Sequence, residues 1–326
     1  MPVRFLTTEM TAFYWQVFTL RDHLWHRRDF SGKLAAIRLK VKEGEWPGWG
    51  PSVDTVIRSG PSATLDINRD VDEQLRWLGK QNPTYLLTFA TNLEALARRA
   101  LDLGVRLPAL REARAISEML PPGVRALVRK AWGVPLVDIY SSQEVGYIAL
   151  QCPEHEHYHA QSENAVVELL RDDGTPCAPG ETGRVVLTTL HNFAMPLLRY
   201  EIGDYAEAGE PCACGRGLPV IRRVMGRVRN MVRLPDGARH WPSLGMLSAM
   251  PEGLIRQFQC VQRTLEHIEV RLVAARALSA EEETRLRAGM REKLGHPFDL
   301  AIVYCEKLER GNGGKFEEFR CEIADA

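Results

Sequence analysis

The 326-residue sequence has no excess charge of either sign, because 42 Lys plus Arg balance 42 Asp plus Glu. No global field then favours nucleic acid or an anionic membrane, and any charged patch must be argued locally. Long apolar runs are missing too. Segments such as "PLVDIY", "AIVYC" and "YLLTFA" are of strand length, short of the roughly 20 apolar residues that span a bilayer. Cysteine is sparse and odd in number, seven in all, and the opening "MPVRFLTTEM" has no signal-peptide pattern. Both features argue against a secreted, disulfide-stapled domain and for a reducing cytoplasm. Internal repeats and low-complexity tracts are absent. The chain reads as soluble, and its length suggests about two domains with a cleft between them.

What is present is an ordered alternation of periodicities. "TTEMTAFYWQVFTLRDHLWHRR" predicts an amphipathic helix capped at Thr7 or Thr8, and "KLAAIRLKV" a strand. The Gly and Pro of "GEWPGWGP", Gly44 to Pro51, mark a loop whose two tryptophans are expected to pack locally. From 72 to 140 helices and strands alternate: "DEQLRWLGKQ", "TYLLTFA", "NLEALARRALDLG", "REARAIS", "VRALVRKAWG", "PLVDIY". That rhythm indicates an α/β sheet. "NAVVELL", "GRVVLTTL" and "MPLLRYEIGD" then read as closely spaced strands. Near the end, "HIEVRLVAA" reads as a strand, Ser279 and Glu282 as a capping box opening a helix, and "DLAIVYCEKL" as a closing strand. The fold class expected is an α/β large domain of mixed sheets with helices, plus a small α+β C-terminal domain. The boundary falls within "GRVRNMVRLPDG", giving domains 1–229 and 230–326.

The cysteines raise the first chemical question. Cys212 and Cys214 sit in "PCACGRG", and 60 residues before Cys212 lies "QCPEHEHYHA", with Cys152 beside His155, His157 and His159. Two short sulfur and nitrogen clusters separated by a long loop are how a closed, tetrahedral structural zinc site is encoded. The ligand set expected is Cys152, His159, Cys212 and Cys214, with His157 as the substitute. The plain alternative is unligated turn cysteines beside a solvated histidine run. Cys177, Cys260, Cys305 and Cys321 read as ordinary thiols. A zinc-dependent hydrolase on "HEHYH" is the weakest reading, since no orienting acid or open fourth position is identifiable.

Three further stretches carry polar residues where chemistry is often placed. "YSSQEVG", Tyr140 to Gly146, follows the strand "PLVDI" and so lies at its carboxyl end, where α/β proteins gather ligands. Its aromatic ring, the hydroxyls of Ser141 and Ser142, and the Glu144 carboxylate suit a nucleotide and Mg²⁺, or simply a capping loop. In "RYEIGDYAE", Asp204 follows Gly203 at a strand end, where a carboxylate can accept hydrogen bonds from a sugar diol. In "RGNGGKFEEFR", three glycines frame Lys315 on a flexible loop. Taken singly, each reads more readily as a capping loop, a turn or a solvated tail.

Taken together and in this order, they resemble the adenylate-forming superfamily of acyl-CoA synthetases and, within it, the phenylacetate-CoA ligase branch. "YSSQEVG" is similar to that family's Tyr-Gly-Ser-Ser/Thr-Glu-x-Gly motif, "GETGRVVLTTL" to its Gly-Glu-x-Gly-Arg strand, and "PLLRYEIGDYAE" to its Arg-Tyr-x-x-Gly-Asp segment. "CACGRGLPVIRRVMGRVRNMV" resembles a Cys-Gly-Arg stretch running into the Gly-Arg-x-x-Asp hinge, and "GNGGKFEEF" the C-terminal lysine loop. The resemblance implies ATP, Mg²⁺ and coenzyme A as co-reactants and a two-step, AMP-forming activation of a carboxylic acid, aromatic in this branch. Tyr140 would pack against adenine beside Ser141 and Ser142, Glu144 would hold Mg²⁺, Asp204 the ribose hydroxyls, and Arg227 ribose or phosphate. Lys315 would serve the first step, and Asn230 would mark the hinge. The family's Ser/Thr/Gly-rich phosphate loop, which precedes a Pro-Val segment like "PVRFLTTE", is not found in the sequence. An N-terminally truncated member is therefore expected, or one whose start is assigned too late, with exposed sheet edges favouring a homodimer. The alternative is a catalytically incomplete relative that binds nucleotide or a partner protein.

Overall fold

The computed structural model describes residues 4–242, 250–251, 253–310 and 315–323. The glycines of "GNGG", at 311–314, lie outside the described residues. The chain opens with α1 (Glu9–Trp25), whose capping residue is Thr8: its hydroxyl accepts from the Thr11 amide at 3.3 Å. There follow β1 (Leu34–Arg38), the short β2 (Gly44–Trp46), one turn of helix α2 (Pro51–Asp54) and β3 (Ser62–Asp66). Trp49 packs among Phe30, His23 and Tyr85, as expected, whereas Trp46 stays half exposed.

The predicted alternation then appears as α3 (Val71–Gln81), β4 (Tyr85–Phe89), α4 (Ala90–Leu103), β5 (Glu112–Ile116), α5 (Val124–Trp132) and β6 (Leu136–Ser142). In α4 the buried Leu93, Leu96, Ala97 and Ala100 recur at intervals of three and four, which makes one apolar stripe facing the sheet. Gly104 ends this helix with φ +67°, a left-handed geometry that costs glycine nothing. Strands β3, β1, β4, β5 and β6 are parallel neighbours, with β2 antiparallel at the edge.

Beyond β6 the sheet changes direction. It continues as β7 (Gly146–Gln151), β8 (Tyr158–Ala160), β9 (Ala165–Leu170), β10 (Thr182–Thr189), β11 (Tyr200–Ala208) and β12 (Val220–Arg227), in the order β6-β7-β8-β12-β11-β10-β9, all antiparallel. β6 belongs to both halves: Leu136 to Asp138 run parallel to β5, while Ile139 to Ser142 run antiparallel to β7. Side chains alternate faces along a strand. Leu136 therefore joins the core under α3, α4 and α5, while Ile139 packs on the other face with Phe18 of α1. Beneath α1 on that second face lies a buried ion cluster. Arg28 donates to Glu112 (2.6 Å) and Asp22 (2.7 Å), and Arg114 also binds Asp22. Burial opposes ionisation of Asp22, but Arg28 and Arg114 outweigh it and hold the carboxyl below the usual range.

A 3₁₀ turn at Val228–Asn230 leads out of the large sheet. A ribbon of β13 (Val232–Arg233) and β14 (Arg239–His240) follows, then β15 (Ile255–Gln262), β16 (His267–Ala274), α6 (Ala280–Leu294), β17 (Asp299–Tyr304) and β18 (Phe319–Cys321). The last four strands form a sheet in the order β17-β16-β15-β18, and Leu286, Met290 and Leu294 of α6 share its core with Phe258, Ile268 and Phe298. The capping box holds: the Ser279 hydroxyl accepts from Glu282 N (3.2 Å), and Ser279 N donates to the Glu282 carboxylate (2.8 Å). A large mixed α/β domain and a separate small α+β domain are therefore both present. No helix among the described residues is long and apolar enough to cross a membrane.

The segment "MPLLR" is not strand. β11 begins only at Tyr200, after Pro196, which offers no amide donor, and after Arg199, whose φ of +47° turns the chain. No strand is expected from the sequence at β3, β7, β8, β12, β13, β14, β15 or β18. Nor is one expected at β2, which corrects the loop reading of Gly44 to Pro51, because Gly44–Trp46 pairs with β3. β12 runs two residues, Gly226 and Arg227, into the expected domain boundary.

Candidate active site

The parallel strands end along one edge of the sheet, and at the carboxyl end of β6 its side chains meet others from the antiparallel pair β11 and β12. β6 delivers Tyr140, Ser141 and Ser142 at its end. The turn to β7 carries Glu144, and its Val145 amide donates to the Ser142 hydroxyl at 3.2 Å. Asp204 and Arg227 face each other across the β11–β12 pair, and the Arg227 guanidinium Nε donates to Asp204 Oδ1 at 3.1 Å. The buried Tyr140 hydroxyl donates to Asp204 Oδ2 at 2.8 Å. Burial, reinforced by the Asp204 charge, pushes that phenol well above its ordinary range. Both oxygens of Asp204 thus have a protein donor, and each retains a lone pair for a further one.

Lys315 comes to this edge from the small domain. Protein crowding lowers its ammonium below the ordinary lysine value, the Arg227 cation lowers it further, and Asp204, Glu144 and Glu118 act in the opposite direction. The large-domain charges that act on it are thus Arg227, Asp204, Glu144 and Glu118. Asn230, in the 3₁₀ turn, donates from its amide to the Phe319 carbonyl (2.9 Å), and Arg229 beside it pairs with Glu317 (2.6 Å).

Glu118, two residues past the end of β5, was not anticipated. One carboxylate oxygen accepts from Thr91 N (2.9 Å) and the Thr91 hydroxyl (2.7 Å) at the start of α4. The other accepts from Arg310 (3.0 Å) and from the Phe316 amide (2.7 Å), both in the small domain. The only sequence signal for it was position: it follows β5 as Tyr140 closes β6. Next to this junction a cleft of about 910 Å³ opens between the domains, lined by Leu39, Ile67, Asn68 and Asn92 on one side and Ile255, Val273, Leu308 and Arg310 on the other.

The second constellation lies where β7, β8 and β12 meet. One donor atom from each of Cys152, His157, His159 and Cys212 lies within 4.8 Å of all the others. Cys214 Sγ is 3.2 Å from His159 Nε2, so all five residues of the expected set and its substitute converge. His157 Nε2 is buried without a hydrogen-bond partner. Burial lowers both imidazoles and pushes the Cys152 thiol up to about 11. Burial also opposes ionisation of Cys214, but hydrogen bonds from Arg216 outweigh it and bring that thiol to about 7. All seven cysteines are free of disulfides.

The chain superposes on 2-hydroxyisobutyryl-CoA ligase, solved in the postadenylation state with 2-HIB-AMP, with a TM-score of 0.71 at 17% identity over 95% of this chain and 70% of that one. An open conformation of the same enzyme, with 2-HIB-AMP and CoA, gives a TM-score of 0.54 at 17% identity over 96% of this chain and 71% of that one. The fold is that of the adenylate-forming acyl-CoA ligases. In sequence the chain is similar to two phenylacetate-coenzyme A ligases. It is 31% identical to the Thermus thermophilus protein over 159 residues, which cover 46% of this chain and 35% of that protein. It is 26% identical to the Escherichia coli protein over 211 residues, covering 58% and 46%. The chain thus spans less than half the length of these curated relatives. Residues 243–319 match the family model described as the CapK C-terminal domain.

Proposed function

We propose that the protein is an AMP-forming carboxylate–CoA ligase acting on an aromatic, phenylacetate-like acid. The observation that supports this reading is the Tyr140–Asp204–Arg227 cluster of the large domain, whose Asp204 and Arg227 charges, with that of Glu144, act on Lys315 of the small domain. In the first step a carboxylate oxygen attacks the α-phosphorus of ATP, the bond to the β-phosphate oxygen breaks, and pyrophosphate leaves. In the second, a thiol sulfur of coenzyme A attacks the acyl carbon, loses its proton, and AMP leaves. Negative charge builds on the phosphate oxygens in the first step, and the cations of Lys315 and Arg227 stabilise it. Asp204 accepts hydrogen bonds from the ribose hydroxyls, the Tyr140 ring flanks adenine beside Ser141 and Ser142, and Glu144 holds Mg²⁺. The domains divide at 229/230, with Asn230 in the hinge. The higher superposition score against a postadenylation structure than against an open one supports a closed arrangement with Lys315 in place.

Cys152, Cys212, Cys214 and His159, with His157 as the alternative fourth donor, hold a structural zinc. A loop with one thiol beside histidines, a second loop with two thiols, and the buried His157 Nε2 without a partner fit such an ion. Seven free thiols fit a cytoplasmic location. The deciding experiment is acid-dependent AMP formation from MgATP with a panel of aromatic and short aliphatic acids, with and without coenzyme A. AMP is expected with aromatic acids, and Lys315→Ala should lower the rate by roughly a hundredfold or more. No AMP from folded wild-type protein, or equal rates in the variant, overturns the reading.

A further inference from the structure

Among the described residues, Glu118 links the two domains through donors from both. Its side chain is 2% exposed, and it takes two donors from Thr91 at the start of α4 and two from the small domain, Arg310 and Phe316 N. A carboxylate with four donors and almost no water is strongly held, because charge-assisted hydrogen bonds strengthen as solvent is excluded. Its Phe316 donor is the peptide directly after Lys315. A bond at that peptide fixes the base of the Lys315 side chain relative to the end of β5. Arg310 braces the same junction. It bonds the Thr91 hydroxyl at 3.3 Å and lies over the Phe89 ring at 5.8 Å. All of the small-domain contacts to Glu118 break if the small domain turns away, whereas the Thr91 contacts stay within the large domain.

We propose that Glu118 and Arg310 form a cross-domain clasp that positions Lys315 and sets the population of the closed arrangement, so that they govern adenylate formation and not the later transfer to a thiol. The proposal rests on the ligase reading above for its kinetic half. Neither residue touches a reacting atom, so both are positioning residues. An interaction made in only one of two domain arrangements shifts their ratio by its own free energy. The clasp therefore favours the step that needs Lys315 in place and opposes the opening that follows.

The test compares wild type with Arg310→Ala, Glu118→Gln and the conservative Arg310→Lys in three measurements. Acid-dependent exchange of pyrophosphate into ATP reads the first step, thioester formation from supplied acyl-adenylate and coenzyme A reads the second, and small-angle scattering of the nucleotide-free protein reads domain separation. Arg310→Ala and Glu118→Gln are expected to lower exchange roughly ten- to hundredfold, as for loss of hydrogen bonds to a buried charge. The second step should stay within about twofold, scattering should show a larger radius of gyration, and Arg310→Lys should recover part of the exchange. Equal losses in both steps with no change in scattering would show simple structural damage and overturn the clasp, as would unchanged exchange. Wild type without any exchange would sink the ligase reading instead, and the scattering comparison would still decide the clasp.

Discussion

Disabling the cysteine and histidine cluster should loosen one defined seam of the large sheet. β8 and β12 are joined by only two residue pairs, Tyr158 with Ile221 and His159 with Val220, plus the Ala160 amide donating to Pro219 at 2.9 Å. Among the described residues this is the one strand pairing between the part of the sheet ending at β8 and the β9–β12 meander. The donors lie on both sides of the seam, so an ion held by Cys152 and Cys212 cross-links a loop of 60 residues. Closing a loop of that length takes entropy from the unfolded chain worth roughly 4 kcal/mol at 25 °C. That corresponds to about a thousandfold in the ratio of folded to unfolded protein. Protein purified without added zinc should contain about one equivalent of the metal by elemental analysis, and Cys212→Ser should contain far less. Urea unfolding of the variant, and of wild type after chelation, should show the midpoint falling by the amount that this loss of stability implies. Well-folded wild type holding under about a tenth of an equivalent, or a variant with an unchanged midpoint, would refute the reasoning.

Two further expectations concern stability. Asp138 is fully buried, burial raises its carboxyl to about 6, and the Tyr158 hydroxyl that donates to it at 2.5 Å offsets only part of the rise. A folded-state value above the unfolded one stabilises at low pH, and that contribution is lost as pH rises from about 4 through about 6. Asp138→Asn does not titrate, so its urea midpoint should gain on wild type between pH 4.5 and pH 8, by up to roughly 3 kcal/mol of stability. A gap that is the same at both pH values would show that the carboxyl is not raised. Ser279→Ala removes the cap of α6 and should cost about 1 kcal/mol. Unfolding of the small domain at an unchanged midpoint would show that the capping box contributes nothing.

The parts legible in the sequence were those set by local chemistry. The capping box at Ser279 and Glu282 is a four-residue signature, and the helices between 71 and 132 announce themselves by apolar spacing and by terminal glycines such as Gly104 and Gly133. Cys152 and Cys212 could be matched because soft ligands at paired positions are rare. Non-local pairings were less legible. The last two residues of β12, Gly226 and Arg227, read as the start of the domain boundary, yet Asp204 and Tyr205 of β11 pair with them and hold them in the strand. β15 mixes Arg, Gln and Cys into "IRQFQCVQ" and becomes a central strand only when β16 and β18 flank it. Glu118 was passed over because nothing in "ISEML" announces that Arg310, 192 residues away, will reach it.

The hydrogen bond between Tyr140 and Asp204 also implies a shape. In strand order three strands stand between β6 and β11, so in a flat sheet their axes would lie roughly 19 Å apart. Side chains reaching 2.8 Å across that span require the antiparallel half to curl back on itself. Twist of roughly 20–25° per strand supplies the bend, and Ile148, Leu187, Ala206 and Ile221 fill its inside. The candidate nucleotide site then sits on the rim of a nearly closed half-barrel. Its width is governed by the volume of those inner residues, so a bulkier side chain at Ala206 would pry the rim apart without touching a single polar group of the site.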